Sequence, residues 1–123
     1  MGEDLKDIGT RCYQFSLMVF DLIKSVQIDP IFKFLVNQLL RSATSIGANV
    51  IEGKSSSSRK ELARYYQIAL KSANETKYWL CLLRDGNKLQ SELFEKVLNE
   101  VEQLSRIIGK SVISLKTTTK STV

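Results

Sequence analysis

The side chains that could do chemistry in this chain are two cysteines and thirteen carboxylates. The 123 residues include no histidine, so the commonest general base and metal ligand is missing. Cys12 lies on the apolar stripe of the first predicted helix, where a small buried hydrophobe is expected, and Cys81 lies beside the stripe of the third. No phosphate-binding loop or nucleophile elbow occurs. We therefore predict no enzymatic activity, no metal site and no cofactor.

Basic residues are the second group of side chains that could have a chemical role, because they cluster around a serine-rich loop in the middle of the chain. The candidate nucleic-acid-binding residues are Lys54, Arg59, Lys60, Arg64 and Lys71. They would form a positive rim at one end of the molecule. Tyr65 and Tyr66 could stack on an unpaired base beside this rim. They also share the apolar phase of their helix, which favours the core or a subunit contact, so both interpretations stay open.

The net charge of +5 is unevenly spread along the chain. Residues 1–29 carry a net charge of −2, residues 33–88 carry +6, and residues 89–123 carry +1. An excess of this kind favours polyanionic partners through long-range attraction and counterion release. It is also compatible with a lysine-rich exterior that only keeps the protein in solution.

Four helices must position these residues, since apolar side chains recur at alternating steps of three and four. In the first helix the stripe consists of Leu5, Ile8, Cys12, Phe15, Val19, Leu22 and Val26. The second helix is predicted to begin at Asp29-Pro30 and to stop at Gly53. A capping box from Ser58 to Glu61 starts the third, which stops at Asp85-Gly86-Asn87, and the fourth begins at Ser91.

These elements predict an all-α protein, an up-down-up-down antiparallel four-helix bundle. Residues 1–116 form its single domain, and residues 117–123 form a flexible polar tail. No apolar run reaches the roughly 18 residues of a membrane span, and the polar amino terminus lacks the features of a signal peptide. With two cysteines outside any disulfide or zinc pattern, we expect a cytoplasmic protein with no membrane contact.

The second helix has the least ordinary composition. Residues 41–49 are nearly all small, and Gly47 costs about 1 kcal/mol relative to alanine inside a helix, so a close helix contact should offset it. A polar stripe runs beside the apolar one and consists of Gln38, Ser42, Ser45, Asn49 and Glu52. Such a stripe either faces solvent or forms a hydrogen-bonded seam that fixes helix register or a subunit contact.

Two stretches of the sequence resemble a known family. The run QLLRSATSIGANVIEG at 38–53, followed by RKELARYYQIALKSANE at 59–75, is similar to the bacterial four-helix-bundle proteins encoded in intervening sequences of 23S ribosomal RNA genes. Arg41, Asn49, Glu52 and Gly53 match the family pattern in the second helix, and Glu75 matches it in the third. Gly47 departs from it, since relatives commonly have proline there, and the kink or contact expected at this point is softer here.

The resemblance implies a bundle that assembles into a ring-like homopentamer, with no known enzymatic activity and an ill-defined association with nucleic acid. It also implies an Arg41–Glu75 pair between the second and third helices, and Gly53 as a helix stop. The candidate structural or oligomer-contact residues are Arg41, Ser45, Gly47, Asn49, Glu52, Gly53, Tyr66, Glu75 and Trp79. The expected partners are other copies of the chain and RNA. The alternative is a protein-interaction scaffold without direct nucleic-acid binding.

Overall fold

The computed structural model describes residues 8–121, with side chains described for residues 8–117. It contains helix α1 (Ile8–Ser25), a short 3-10 turn (Pro30–Phe32), α2 (Lys33–Lys54), α3 (Arg59–Gly86) and α4 (Glu92–Ser121). No strand occurs within this part of the chain. Each helix packs against the next, and α1 also packs against α4, so the four helices close into a bundle. The prediction of an all-α four-helix bundle is confirmed.

The loops show that neighbouring helices are antiparallel. Asn87, in the loop between α3 and α4, accepts a hydrogen bond from the backbone N–H of Asp29 at 3.1 Å and donates one to the carbonyl of Gln27 at 2.9 Å. The α1–α2 and α3–α4 connections therefore meet at one end of the bundle. The α2–α3 loop lies at the other end, which gives the up-down-up-down topology predicted from the short connections.

The predicted apolar stripes form the core. The buried residues of α1 are Ile8, Cys12, Phe15, Val19 and Leu22, and each of the other three helices contributes a similar stripe of buried apolar residues. Leu5 lies outside the described residues, and Val26 follows the end of α1 and is only partly buried. The core therefore follows the three-and-four spacing through each helix.

The capping side chains predicted at Asp29 and Ser58 are both present. Asp29 accepts a hydrogen bond from Ile31 N at 3.1 Å, but the turn that it caps is a 3-10 turn, and α2 begins three residues later than predicted. The Ser58 hydroxyl accepts from Glu61 N at 3.1 Å. The return bond differs from a regular capping box, because the Glu61 carboxylate accepts from the N–H of residue 57, one position before the cap.

Two helix ends differ from the sequence prediction. Gly53 is not the helix stop, because α2 continues through Lys54, and no glycine in the described chain has a positive φ. The backbone of α4 remains helical to Ser121, past the predicted domain end at 116. The flexibility of residues 117–123 stays a prediction, and residues 122–123 lie outside the described part. Within residues 8–121, no helix combines the length and the apolar character needed to cross a membrane.

Candidate functional site

All five candidate cations are exposed; four lie at the α2–α3 loop or in the first two turns of α3, and Lys71 lies about 18 Å along α3 from its first residue. Lys60, Arg64 and Lys71 follow one another on α3 at steps of four and seven, so they lie on one outer face of the helix. We call these three residues the α3 cationic stripe. It extends about 16 Å along the helix, at 1.5 Å per residue. Gln67 is the other residue of this face between positions 60 and 71, so no carboxylate interrupts the stripe.

The structure does not bring the other two cations onto the stripe. Lys54 ends α2 and leans towards α1, where its amino nitrogen comes within 3.8 Å of the position that a Cβ on Gly9 would occupy. Arg59 is the first residue of α3 and lies one position, about 100° around the helix, from Lys60. The predicted rim is therefore a linear stripe with two flanking cations. Glu52, which is exposed in the last turn of α2, lies at the same end of the bundle.

The two tyrosines beside Arg64 have separate surroundings. Tyr66 is only 6% exposed and belongs to the core, and burial raises the pKa of its phenol above the usual value of 10.0. Tyr65 is half-buried, and the guanidinium carbon of Arg64 lies 4.9 Å from the centroid of its ring. This distance is that of a cation–π contact. Of the two interpretations that the sequence left open, the core position is therefore the correct one for Tyr66.

The polar stripe of α2 forms a hydrogen-bonded seam with α3 inside one subunit. Ser42 and Thr76 are both fully buried, with their hydroxyl oxygens 2.9 Å apart, and Ser72 donates to Ser45 at 3.1 Å. Asn49 donates to the hydroxyl of Ser45 at 3.0 Å and to its carbonyl at 2.8 Å, so it supports the seam from within α2. Ser42 and Thr76 also bond to backbone carbonyls of their own helices, at Leu39 and Ser72, so the seam adds contacts between α2 and α3 to hydroxyls that already have a partner.

The predicted ion pair between Arg41 and Glu75 lies on the solvent-exposed side of this seam. Arg41 donates to Glu75 on α3 and to the amide oxygen of Gln38 at 2.9 Å. Glu75 also accepts from the indole N–H of Trp79 at 2.9 Å, and the Trp79 ring contacts Tyr78 edge to face, with centroids 5.2 Å apart. Because Arg41 and Glu75 remain 56% and 35% exposed, solvent screens the attraction between them. This pair orients Trp79 at the surface more than it stabilises the fold.

Two glycines of α2 allow neighbouring elements to come close. A Cβ on Gly47 would lie 3.1 Å from the Cβ of Cys12, so α1 approaches the small segment of α2 closely. A Cβ on Gly53 would lie 3.1 Å from atoms of both Tyr65 and Tyr66. The missing side chain of Gly53 therefore makes room for α3 and does not end the helix.

Several interactions of the structure were not predicted from the sequence. Arg11 on α1 donates to Glu100 at 3.0 Å and to Gln103 at 3.1 Å, which joins α1 to α4. Lys77 donates to Glu102 at 2.6 Å, and this bond holds the pKa of Glu102 below its usual value of 4.5. The position of Arg11, next to the apolar stripe of α1, was the available signal that it faces another helix.

The described part of the chain contains few side chains that could act as a nucleophile or a metal ligand. Burial, followed by the charge of Glu100, raises the pKa of the Cys12 thiol to about 12. Cys81 is half-buried, and both cysteines are free. Among the residues described, no three of the cysteine and carboxylate side chains come together as metal ligands could.

Comparison with known proteins agrees with this architecture. The model of the family described as 23S rRNA-intervening sequence protein matches residues 6–110. The chain belongs to that family. A solved structure of a protein with unknown function from the S23 ribosomal protein family of Bacteroides thetaiotaomicron is similar, with a TM-score of 0.77 and 30% identity. The match covers 85% of this chain and 97% of the other. The comparison with curated proteins gave no match.

Proposed function

We propose that this member of the intervening-sequence family is a non-enzymatic, cytoplasmic, oligomeric protein that associates with RNA. The observation that carries the proposal is the α3 cationic stripe, which is exposed along its whole length and free of carboxylates. Each phosphate contact made by a lysine or arginine releases counterions from the nucleic acid. Three such contacts in one subunit are weak alone, but copies of the stripe in one assembly add through multivalency.

Self-association is supported by exposed apolar side chains on two sides of the bundle. On α1, Tyr13, Leu17 and Phe20 follow one another at steps of four and three, and all are exposed. On the α2–α3 side, Phe34 and Tyr78 are more than 60% exposed. Exposed apolar clusters of this kind are typical of interaction sites.

The arrangement of these two surfaces is compatible with a ring. Helices α1 and α3 each pack against α2 and α4, so they lie diagonally across the bundle and their outer faces point in different directions. Two different surfaces can join head to tail, and a head-to-tail contact closes into a ring when the rotation permits it. The number of five subunits comes from the family resemblance alone.

The proposal of no catalysis is supported by the absence of histidine from the sequence and by the burial of Cys12. A thiol with a pKa of about 12 carries almost no thiolate at neutral pH, and the thiolate is the nucleophilic form. We propose no cofactor and no metal.

Charge reversal tests the RNA association with a matched control. The stripe variant carries Lys60→Glu, Arg64→Glu and Lys71→Glu, and the control carries Lys96→Glu, Lys110→Glu and Lys116→Glu on α4, which are also exposed. The two variants have the same net charge and differ only in where it changes. We expect the wild-type protein to bind structured RNA at about 50 mM salt and to lose affinity steeply as salt rises.

The stripe variant should bind RNA at least tenfold more weakly than the control, about 1.4 kcal/mol. Equal affinity of the two variants, or unmeasurable binding of the wild type at low salt, would refute the proposed role of the stripe.

Oligomeric state is tested by light scattering, with and without total cellular RNA. Phe20→Glu on α1 and Phe34→Glu on α2 each place a charge on one of the two apolar surfaces. Both should reduce the molar mass towards the 13.9 kDa of one subunit, whereas Ile113→Glu, at an exposed apolar position of α4, should not. A wild-type monomer at micromolar concentration would refute self-association.

A protein-interaction scaffold is the second candidate. The specific observation in its favour is the exposure of Phe34, Tyr78 and Leu82, apolar side chains of α2 and α3 that are as suited to a protein partner as to another subunit. Affinity capture from native lysate before and after nuclease treatment separates the candidates. Partners that survive nuclease digestion favour the scaffold, and partners lost on digestion favour RNA.

A further inference from the structure

The α3 cationic stripe offers few groups that could recognise a base. Base-specific or base-stacking recognition requires an accessible aromatic face, or polar side chains that converge on the base edges. The stripe consists of two lysines and one arginine, with Gln67 as the only uncharged side chain of the face between them. Next along the helix, the amide oxygen of Asn74 accepts a hydrogen bond from Ser105 at 3.1 Å, which orients this side chain towards α4.

The two aromatic rings next to Arg64 are poorly available as stacking platforms. Tyr66 is in the core, and one face of Tyr65 is covered by the guanidinium of Arg64. Tyr78 is exposed and lies on the same side of α3, but it follows Lys71 by seven residues, about 10 Å along the helix. Its ring contacts Trp79 edge to face, in the apolar part of the surface. The same seven-residue step separates Lys71 from Arg64, so Tyr78 is an accessible ring in line with the stripe, beyond its last cation and not between the cations.

The shape of the stripe also disfavours a splayed single strand. Its residues lie on the outer face of a helix, which is convex, and they do not line the depressions found beside the α3–α4 loop, between the ends of α1 and α2, or beside Tyr13. Phosphates on the outside of a duplex can contact a convex row of cations, whereas unstacked bases need a pocket or a platform.

We infer that the α3 cationic stripe binds the phosphate backbone of its RNA ligand and does not recognise the bases. The inference rests on the proposed RNA association and specifies its chemistry. The ligand is a polyanion recognised by charge density, and a duplex is preferred to a single strand of the same length. A DNA duplex releases more counterions per contact than a single strand, with a salt slope of about −0.9 per phosphate against about −0.7, and we expect the same order for RNA.

A base-free competitor provides the test. The full-length protein is titrated with a labelled 20-nucleotide RNA strand and with its duplex, and each complex is then challenged with inorganic polyphosphate at equal total charge. We expect polyphosphate to displace both RNAs, the duplex to bind more tightly than the strand, and strands of only adenine or only uracil to differ by less than about twofold.

Two tyrosine variants sharpen the test. Tyr78→Ala removes the exposed ring, and Tyr65→Leu removes the ring beneath Arg64 while keeping the Cβ that lies against Gly53. Each should change the affinities for RNA and polyphosphate by the same factor, even where the variant alters assembly. Stacking on an aromatic ring changes affinity by about fivefold to more than 100-fold per base, so a base contact would be visible in the ratio.

The inference is overturned by any of three results: polyphosphate fails to displace RNA, one homopolymer binds more than tenfold better than another, or Tyr78→Ala weakens RNA binding but not polyphosphate binding. In these cases RNA binding that still depends on the stripe leaves the proposed function intact. If RNA does not bind the wild-type protein at low salt, the proposed function and this inference fail together.

Discussion

Replacing Gly47 and Gly109 with alanine should have opposite effects on stability, although both glycines lie inside long helices. A Cβ at position 47 would lie 3.1 Å from the Cβ of Cys12, which cannot move without its backbone. A Cβ at position 109 would meet only the two terminal methyl carbons of Leu70, at 3.9 and 4.0 Å. These are ordinary van der Waals distances. The first substitution must separate α1 from α2, whereas the second adds a contact between α3 and α4.

The magnitudes follow from two opposing effects. Alanine is favoured over glycine by about 1 kcal/mol in a helix interior, and this gain applies to both variants. Overpacking in a close-packed core costs about 1–3 kcal/mol, and it applies only at Gly47. We therefore expect Gly109→Ala to raise the free energy of unfolding by about 0.5–1 kcal/mol. Gly47→Ala should lower it by about 0–2 kcal/mol, the difference between the two effects.

Urea unfolding followed by helical circular dichroism measures both variants at one fixed protein concentration, since self-association would make stability concentration-dependent. Gly53→Ala extends the series, because three side-chain atoms would lie within 3.2 Å of its new Cβ, and it should be the least stable of the three. If Gly47→Ala stabilised the protein as much as Gly109→Ala, the close contact between α1 and α2 would not exist as described.

Other predictions concern the seam, the thiols and the cationic end. In urea unfolding, Thr76→Val and Ser42→Ala should each lower the free energy of unfolding by about 1 kcal/mol. The double variant should lower it by less than the sum, because both substitutions remove the same buried contact. A thiol reagent at pH 8 should modify Cys81 in the folded protein and Cys12 only after denaturation. Because the pKa of Cys12 is raised, the unfolded chain releases its thiol proton above about pH 9.0 while the folded chain keeps it. The free energy of unfolding should therefore fall between about pH 9 and pH 12. The fall should be smaller in Cys12→Ala. Glu52→Gln should strengthen RNA binding at low salt, and an unchanged affinity would place Glu52 away from the ligand.

The helices and the core could be predicted from the sequence because they depend on local patterns. The stripe from Ile8 to Leu22 is buried as its spacing indicates, and Asp29 and Ser58 cap the turns that follow them. Each of these features is determined by residues within one or two turns. Short loops then leave the antiparallel bundle as the simplest arrangement.

The contacts between helices were harder to predict from the sequence, because they depend on how each helix is rotated and shifted along its axis relative to its neighbour. The small residues around Gly47 indicated a close approach, but they could not identify Cys12 as the contact. The stripe of Ser42 and Ser45 could equally have faced solvent until α3 placed Thr76 and Ser72 opposite. Lys54 was grouped with the α3 cations by its position in the sequence, although it leans towards α1.

The family signature in this chain describes the fold more than the ligand. Asn49 bonds to Ser45 within α2, Gly53 makes room for α3, and Arg41 pairs with Glu75 across the α2–α3 seam. Substituting these residues should therefore disturb helix register and stability before it disturbs any binding. Residues that bind a partner must be exposed and not already committed to the seam, and the α3 cationic stripe meets both conditions. For this reason the charge-reversal experiment belongs on α3, and variants of the signature residues serve as its stability controls.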